Sequence, residues 1–164
     1  MIVAIPLHRM TIHEFVSLVR FQNETLLKKM IEHQVDINSA NPETGTNALM
    51  LAASLGYVNI CNILLDGGAD IHAYDHAGNT PLHLAAQGYG EQVPVIQALL
   101  DRGANTTVTN EDGFTPAALA KKMDKDAYLR ILESHAEQKK EPPAYQDLGA
   151  FKEEQTEQNI FAFP

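Results

Sequence analysis

The sequence predicts an all-α repeat solenoid of helix-turn-helix units with hairpin-like turns, on three observations. A glycine-led segment recurs at residues 45–53, 78–86 and 113–120, and the copies align position by position. Gly45, Gly78 and Gly113 stand 33 and 35 residues apart, the spacing of stacked helical repeats. After the first two copies come apolar pairs at helical spacing, Ile60, Cys61, Leu64 and Leu65, then Val95, Ile96, Leu99 and Leu100.

Each element has a local reason. In the first unit, Phe15, Leu18 and Val19 mark one helix, and Leu26, Leu27, Met30 and Ile31 mark its partner. The turn that follows carries one extra residue, within Asn41, Pro42, Glu43 and Thr44. In the third unit Thr80 is placed to cap a helix whose first position is Pro81, where no N–H is needed. Ala85 and Ala86 are small enough for close helix contact. Gly68 and Gly103 follow helix ends, where a left-handed residue is wanted. Pro94 opens a helix instead of breaking one. The longer second spacing places a two-residue insertion between Gln87 and Val93, either a second partner contact or, the favoured reading, a tolerated insertion.

In the last unit Tyr128, Leu129 and Leu132 continue the pattern, but Lys121 and Glu133 replace apolar residues. A terminal unit has no neighbour on one side and needs a polar outer face. Four units are therefore expected, the outer two acting as caps. The boundaries expected are an N-terminal extension over 1–10, the repeat domain over 11–135 and a polar acidic tail over 136–164.

Composition narrows the function. The chain has 164 residues, a formal net charge of -9 and a pI of about 5.1. It lacks the Lys and Arg clusters with which proteins neutralise nucleic-acid phosphates or anionic lipid, so neither partner is expected. No apolar stretch reaches membrane-spanning length, and the apolar start, interrupted by Pro6, does not read as a signal peptide. Cys61 is the one cysteine, so an internal disulfide is impossible and a reducing compartment, the cytoplasm, is expected.

The segment Thr80-Pro81-Leu82-His83-Leu84-Ala85, with the 33-residue period, resembles the signature of the ankyrin-repeat family across roughly residues 11–135. Asn47, Ala48 and Met50 in the second unit and Ala118 in the fourth depart from that pattern. The resemblance implies a protein-binding module, acting as a monomer with no cofactor. It also implies that His83 ties adjacent repeats, and that partners meet the turn tips and the exposed face of each first helix. Carried over by register, those positions are Glu43, Thr46, Ser54 and Leu55, then Tyr74, His76, Asn79 and Gln87, then Thr109, Glu111, Phe114 and Lys122. Tyr74, Leu55 and Phe114 stand out, because large apolar groups at an interface are frequent anchors.

Other chemistry has weaker support. Asp70, His72, Asp75 and His76 could suit a metal, but the resemblance places them on a solvated turn. Cys61 occupies a core position, the place of an inert thiol. No phosphate loop, serine elbow or catalytic carboxylate pair appears, so no enzyme is expected.

Three short patterns lie in the tail. Pro142, Pro143 and Tyr145 resemble a WW-domain ligand, and Tyr145-Gln146-Asp147-Leu148 resembles a tyrosine sorting signal. Glu153, Glu154 and Glu157, followed by Ile160, Phe161 and Phe163, resemble a type IVB secretion signal. That pattern implies a bacterial effector delivered into a host cytoplasm. The competing readings are an ordinary solubilising tail and a small intracellular regulatory inhibitor.

Overall fold

The computed structural model describes residues 12–88 and 92–138. Within them are eight helices: α1 (Ile12–Arg20), α2 (Glu24–Glu32), α3 (Ala48–Leu55), α4 (Val58–Asp66), α5 (Pro81–Gln87), α6 (Val93–Asp101), α7 (Pro116–Lys122) and α8 (Asp126–Gln138). Each odd helix packs on the even helix that follows it. The odd helices also pack side by side in chain order, and the even helices do the same, so the stack has two layers. Apart from one isolated bridge between Ala40 and Asn47, the described residues form helices and turns.

The starts of α2, α3 and α7 follow the expected capping logic. Thr115 Oγ1 accepts from the Ala118 N–H at 3.2 Å, and Pro116 opens α7. Asn47, one of the departures from the repeat pattern, does the same work: its Oδ1 accepts from the Met50 N–H at 2.9 Å. Asn and Thr are both good caps because each offers an oxygen to an orphan donor. Asn23 caps α2 in this way through the Leu26 N–H, at 3.1 Å.

Most helix ends share one stop. After α4, Gly68 takes a φ of 92°, its N–H bonds the Leu65 carbonyl and the Ala69 N–H bonds the Leu64 carbonyl. This is the Schellman arrangement. It recurs at Gly56, Gly103, Gln22, Gln34 and Asp124, the last three without the glycine that the geometry favours.

Helix α5 stops differently. Gly88 has a φ of -54°, so no left-handed residue ends the helix. The ammonium of Lys125, from the link between α7 and α8 in the next helix pair, instead donates to the Gln87 carbonyl at 2.7 Å and to the Gly88 carbonyl. Gln92 is fully buried, and its Nε2 donates to the Ser54 carbonyl at 3.0 Å. A side chain on Gly88 would collide with that same Ser54 oxygen, 2.6 Å away. The described ends of the insertion, Gly88 and Gln92, are thus each tied to a neighbouring helix pair.

The core lies between the layers and between successive pairs. Ala52, Ala53, Ala85, Ala86 and Ala120 are fully buried in the odd layer, and Ile60, Cys61, Leu64, Val95, Ile96 and Leu99 in the even layer. Lys121 and Glu133 are exposed, as a polar outer face requires. Helix α8 continues past His135 to Gln138, beyond the boundary drawn from composition. Ala136, Glu137 and Gln138 are good helix formers, and nothing before Pro142 interrupts them.

Candidate functional site

The turns that precede α3, α5 and α7 are built alike. Asn41, Asp75 and Asn110 each donate their backbone N–H to a carbonyl across the turn, those of Thr46, Asn79 and Phe114, at 2.9, 3.0 and 3.0 Å. Their side chains then bond N–H groups inside the turn: Asn41 that of Glu43, Asp75 those of Ala77 and Asn79, and Asn110 that of Phe114. Asn and Asp suit this position because a short side-chain oxygen reaches back to the local backbone.

Successive turns are bonded to one another. The His76 N–H donates to the Thr44 carbonyl at 2.9 Å, and the Glu111 N–H donates to the Ala77 carbonyl at 3.0 Å. Gly45, with a φ of 73°, permits the first of these contacts: a Cβ there would lie 2.8 Å from the His76 nitrogen. A third tie runs between side chains, where Asn110 Nδ2 donates to Asn79 Oδ1 at 2.9 Å. The result is a hydrogen-bonded ladder of turn tips.

The expected binding positions fall unevenly on this ladder. Glu43, His76, Thr109 and Glu111 are exposed on the tips, and Tyr74, beside them, is 74% exposed. His76 Nδ1 also meets the Glu43 carbonyl at 3.1 Å, so those two neighbours are joined. Thr46 and Ser54 are half-buried, and the Ser54 hydroxyl donates to the Leu51 carbonyl at 2.9 Å.

Asn79 is a correction. It is buried, with its amide engaged by Asp75 and Asn110, and it serves the ladder instead of a free face. Gln87 is half-buried and its Nε2 reaches Asn79 Oδ1 at 3.5 Å. Phe114 is half-buried, with the exposed Lys122 ammonium 4.4 Å from its ring centre. Two expected contact residues therefore stack on each other, a cation–π arrangement. Leu55 is exposed at the last residue of α3, the helix end away from the turn tips.

His83 is fully buried between turns. Its Nδ1 accepts from the Thr80 N–H at 3.2 Å and lies 2.8 Å from the Thr80 hydroxyl, while Nε2–H donates to the Phe114 carbonyl at 3.0 Å. Burial pushes its pKa below the ordinary histidine value, outweighing the Phe114 and Val108 carbonyls and the Asp75 charge, which pull upward. This neutral imidazole spans two successive turns, the structural tie that the resemblance implied. Burial also raises the Cys61 thiol to about 12, so the thiolate needed for nucleophilic chemistry is not available at neutral pH.

Among the described residues, no group of three or more His, Cys, Asp or Glu side chains is placed to hold a metal ion. Nor is any of their helices long and apolar enough to cross a membrane. The tail residues Pro142, Pro143, Tyr145, Glu153, Glu154 and Glu157 lie outside the described residues.

Sequence reasoning missed several exposed apolar groups: Phe21, Val93, Val108 and Met123. Phe21 and Met123 each stand immediately after a helix, at its C-cap, and Val93 opens one. The position beside a helix end is the available signal, since such a residue loses the packing that the helix interior supplies.

Comparison with known proteins places this arrangement. Ankyrin repeats, in three copies, match residues 15–110. The chain is 33% identical over 129 residues to human protein phosphatase 1 regulatory subunit 27, covering 70% of this chain and 79% of that protein. It is 32% identical over 107 residues to the mouse inactive serine/threonine-protein kinase TEX14, covering 65% of this chain but only 7% of the kinase. Against the Neurogenic locus Notch protein of Drosophila melanogaster it is 32% identical over 99 residues, 60% of this chain and 4% of that protein. With its period, turns and caps matching and more than half its length covered by the repeat family, the chain belongs to the ankyrin-repeat proteins.

Proposed function

We propose that this chain is a non-catalytic protein-binding module of four helix-pair units, the outer two acting as caps. It holds a protein partner across the turn tips and the exposed first-helix positions. The observation that carries the reading is the ladder of turn tips, which keeps Glu43, His76, Thr109 and Glu111 on a fixed frame beside the exposed Tyr74 ring. Preorganised side chains lose little freedom on binding, so more of their contact energy appears as affinity. Aromatic anchors among them supply most of it. Likeness to a phosphatase regulatory subunit supports a regulatory version, in which the partner is an enzyme whose activity the stack alters.

The test is an affinity capture with the whole chain, read by mass spectrometry and repeated with Tyr74→Ser and Leu55→Ser combined. Both residues are exposed, so the variant should melt like the parent while losing the captured partner. A variant that retains the partner would overturn the binding face.

The tail supports a further part of this reading, delivery into a host cell by residues 153–164. The pattern of Glu153, Glu154 and Glu157 before Ile160, Phe161 and Phe163 is the support. A translocation reporter fused to the full chain should be delivered, and one lacking residues 139–164 should not. Equal delivery of both would refute the signal.

A further inference from the structure

Next to the ladder, the segments that link α4 to α5 and α6 to α7 enclose a groove of about 180 Å³. Ile71, Tyr74, Val108 and Thr109 line it, with Thr80 and His72. Tyr74 and Val108 are exposed despite their apolar character, at 74% and 37%. The volume falls below the roughly 300–1,000 Å³ of small-molecule sites. It is the scale of a side chain presented by another polypeptide.

The charge around the groove has one sign. Residues 30–101 contain no Lys or Arg at all. Asp70 directly precedes Ile71, and Asp75 directly follows Tyr74. Glu111 and Asp112 are exposed on the adjoining turn, which is bonded to the groove side through the Glu111 N–H and the Ala77 carbonyl. The nearest cation in sequence, Arg102, is paired with Asp66 at 2.8 Å.

We propose that this groove takes a cationic, apolar segment of a protein partner: one aliphatic or aromatic side chain flanked by Lys or Arg. The apolar side chain covers Tyr74, Ile71 and Val108, and the flanking cations meet Asp70, Asp75, Glu111 and Asp112. Apolar contact supplies affinity, while the charge rim steers the encounter and selects against acidic segments. This inference rests on the binding-face reading above and adds the chemistry of the partner.

The test is an NMR titration of the full ¹⁵N-labelled chain with three synthetic peptides. One carries a leucine between Lys-Arg pairs, the second has serine for the leucine, and the third has glutamates for the cations. The first should saturate while shifting the amide signals of Ile71, Tyr74, Val108 and Thr109. The other two should bind at least about tenfold more weakly, the scale of one interfacial anchor. Tyr74→Ser and Val108→Ser should each weaken the first peptide without changing the melting temperature, and Glu111→Lys with Asp112→Lys should do likewise. Equal binding of the serine or glutamate peptide would overturn the inference, as would shifts scattered over acidic residues away from the groove. If the peptides fail in this way while Tyr74→Ser with Leu55→Ser still abolishes capture of the partner, only the partner's chemistry is wrong. If that double variant keeps its partner, the binding face itself is wrong.

Discussion

At the scale of single residues, the stack depends on groups whose conformation or protonation is held by neighbours. His83 is neutral in the folded chain, with one nitrogen accepting and the other donating. Its pKa is lowered by burial, so below the ordinary value of about 6.5 the unfolded chain takes up a proton that the folded chain refuses. The His83 contribution is complete above that pH and is lost as the pH falls toward the lowered folded value, at a slope of at most about 1.4 kcal/mol per pH unit. Melting temperature should therefore drop from pH 7 to pH 5 more steeply in the parent than in His83→Gln, which is less stable at pH 7 but lacks this titration. Parallel slopes would show that other groups carry the pH response.

Gln34 occupies the position that Gly68 and Gly103 hold in later units, with a φ of 57°. A side chain in the left-handed region costs about 1–2 kcal/mol against its Cβ. Part of that is offset by the greater freedom of glycine in the unfolded chain. Gln34→Gly should therefore stabilise the protein by about 0.5–1 kcal/mol in urea unfolding, whereas Gly68→Ala should destabilise it through backbone strain alone.

Among the elements, α5 and α6 are the pair to probe. The missing left-handed stop of α5 is replaced by the Lys125 ammonium on two carbonyls. Lys125→Met keeps most of the stem and removes those charge-assisted bonds, so a loss of about 1–2 kcal/mol is expected by thermal unfolding. In α6, Leu99 is completely buried in the even layer. Leu99→Ala leaves a cavity between helix pairs and should destabilise by about 2–5 kcal/mol, checked by denaturant unfolding.

Over the whole molecule, units in contact only with their neighbours give a stability that sums unit by unit. Among the described residues, the last fully covered large side chain is Leu132 in α8, and that helix runs to Gln138. A chain ending at Gln138 should melt within about 0.5 kcal/mol of the parent, since no buried residue of the described stack is removed. A chain ending at His135 loses the final turn of α8 and should melt lower. A large loss from the first truncation would mean that Phe161 and Phe163 pack on the repeats.

The sequence by itself determined the helix pairs, their caps and their turns, because each depends on contacts between residues close in the chain. Thr115 before Pro116, Gly68 after α4 and Asp75 within its turn are local solutions, and a repeating period shows them several times over. Tertiary structure alone decided which exposed-looking positions are free. Asn79 faces Asn110 from the next unit, 2.9 Å away, and Phe114 lies beneath Lys122. Gln92 and Lys125 reach Ser54 and Gln87 across 38 residues. The groove likewise exists only where two linking segments from different units come side by side. A residue's spacing along the chain records its own helix or turn, but burial depends on what the next repeat places against it.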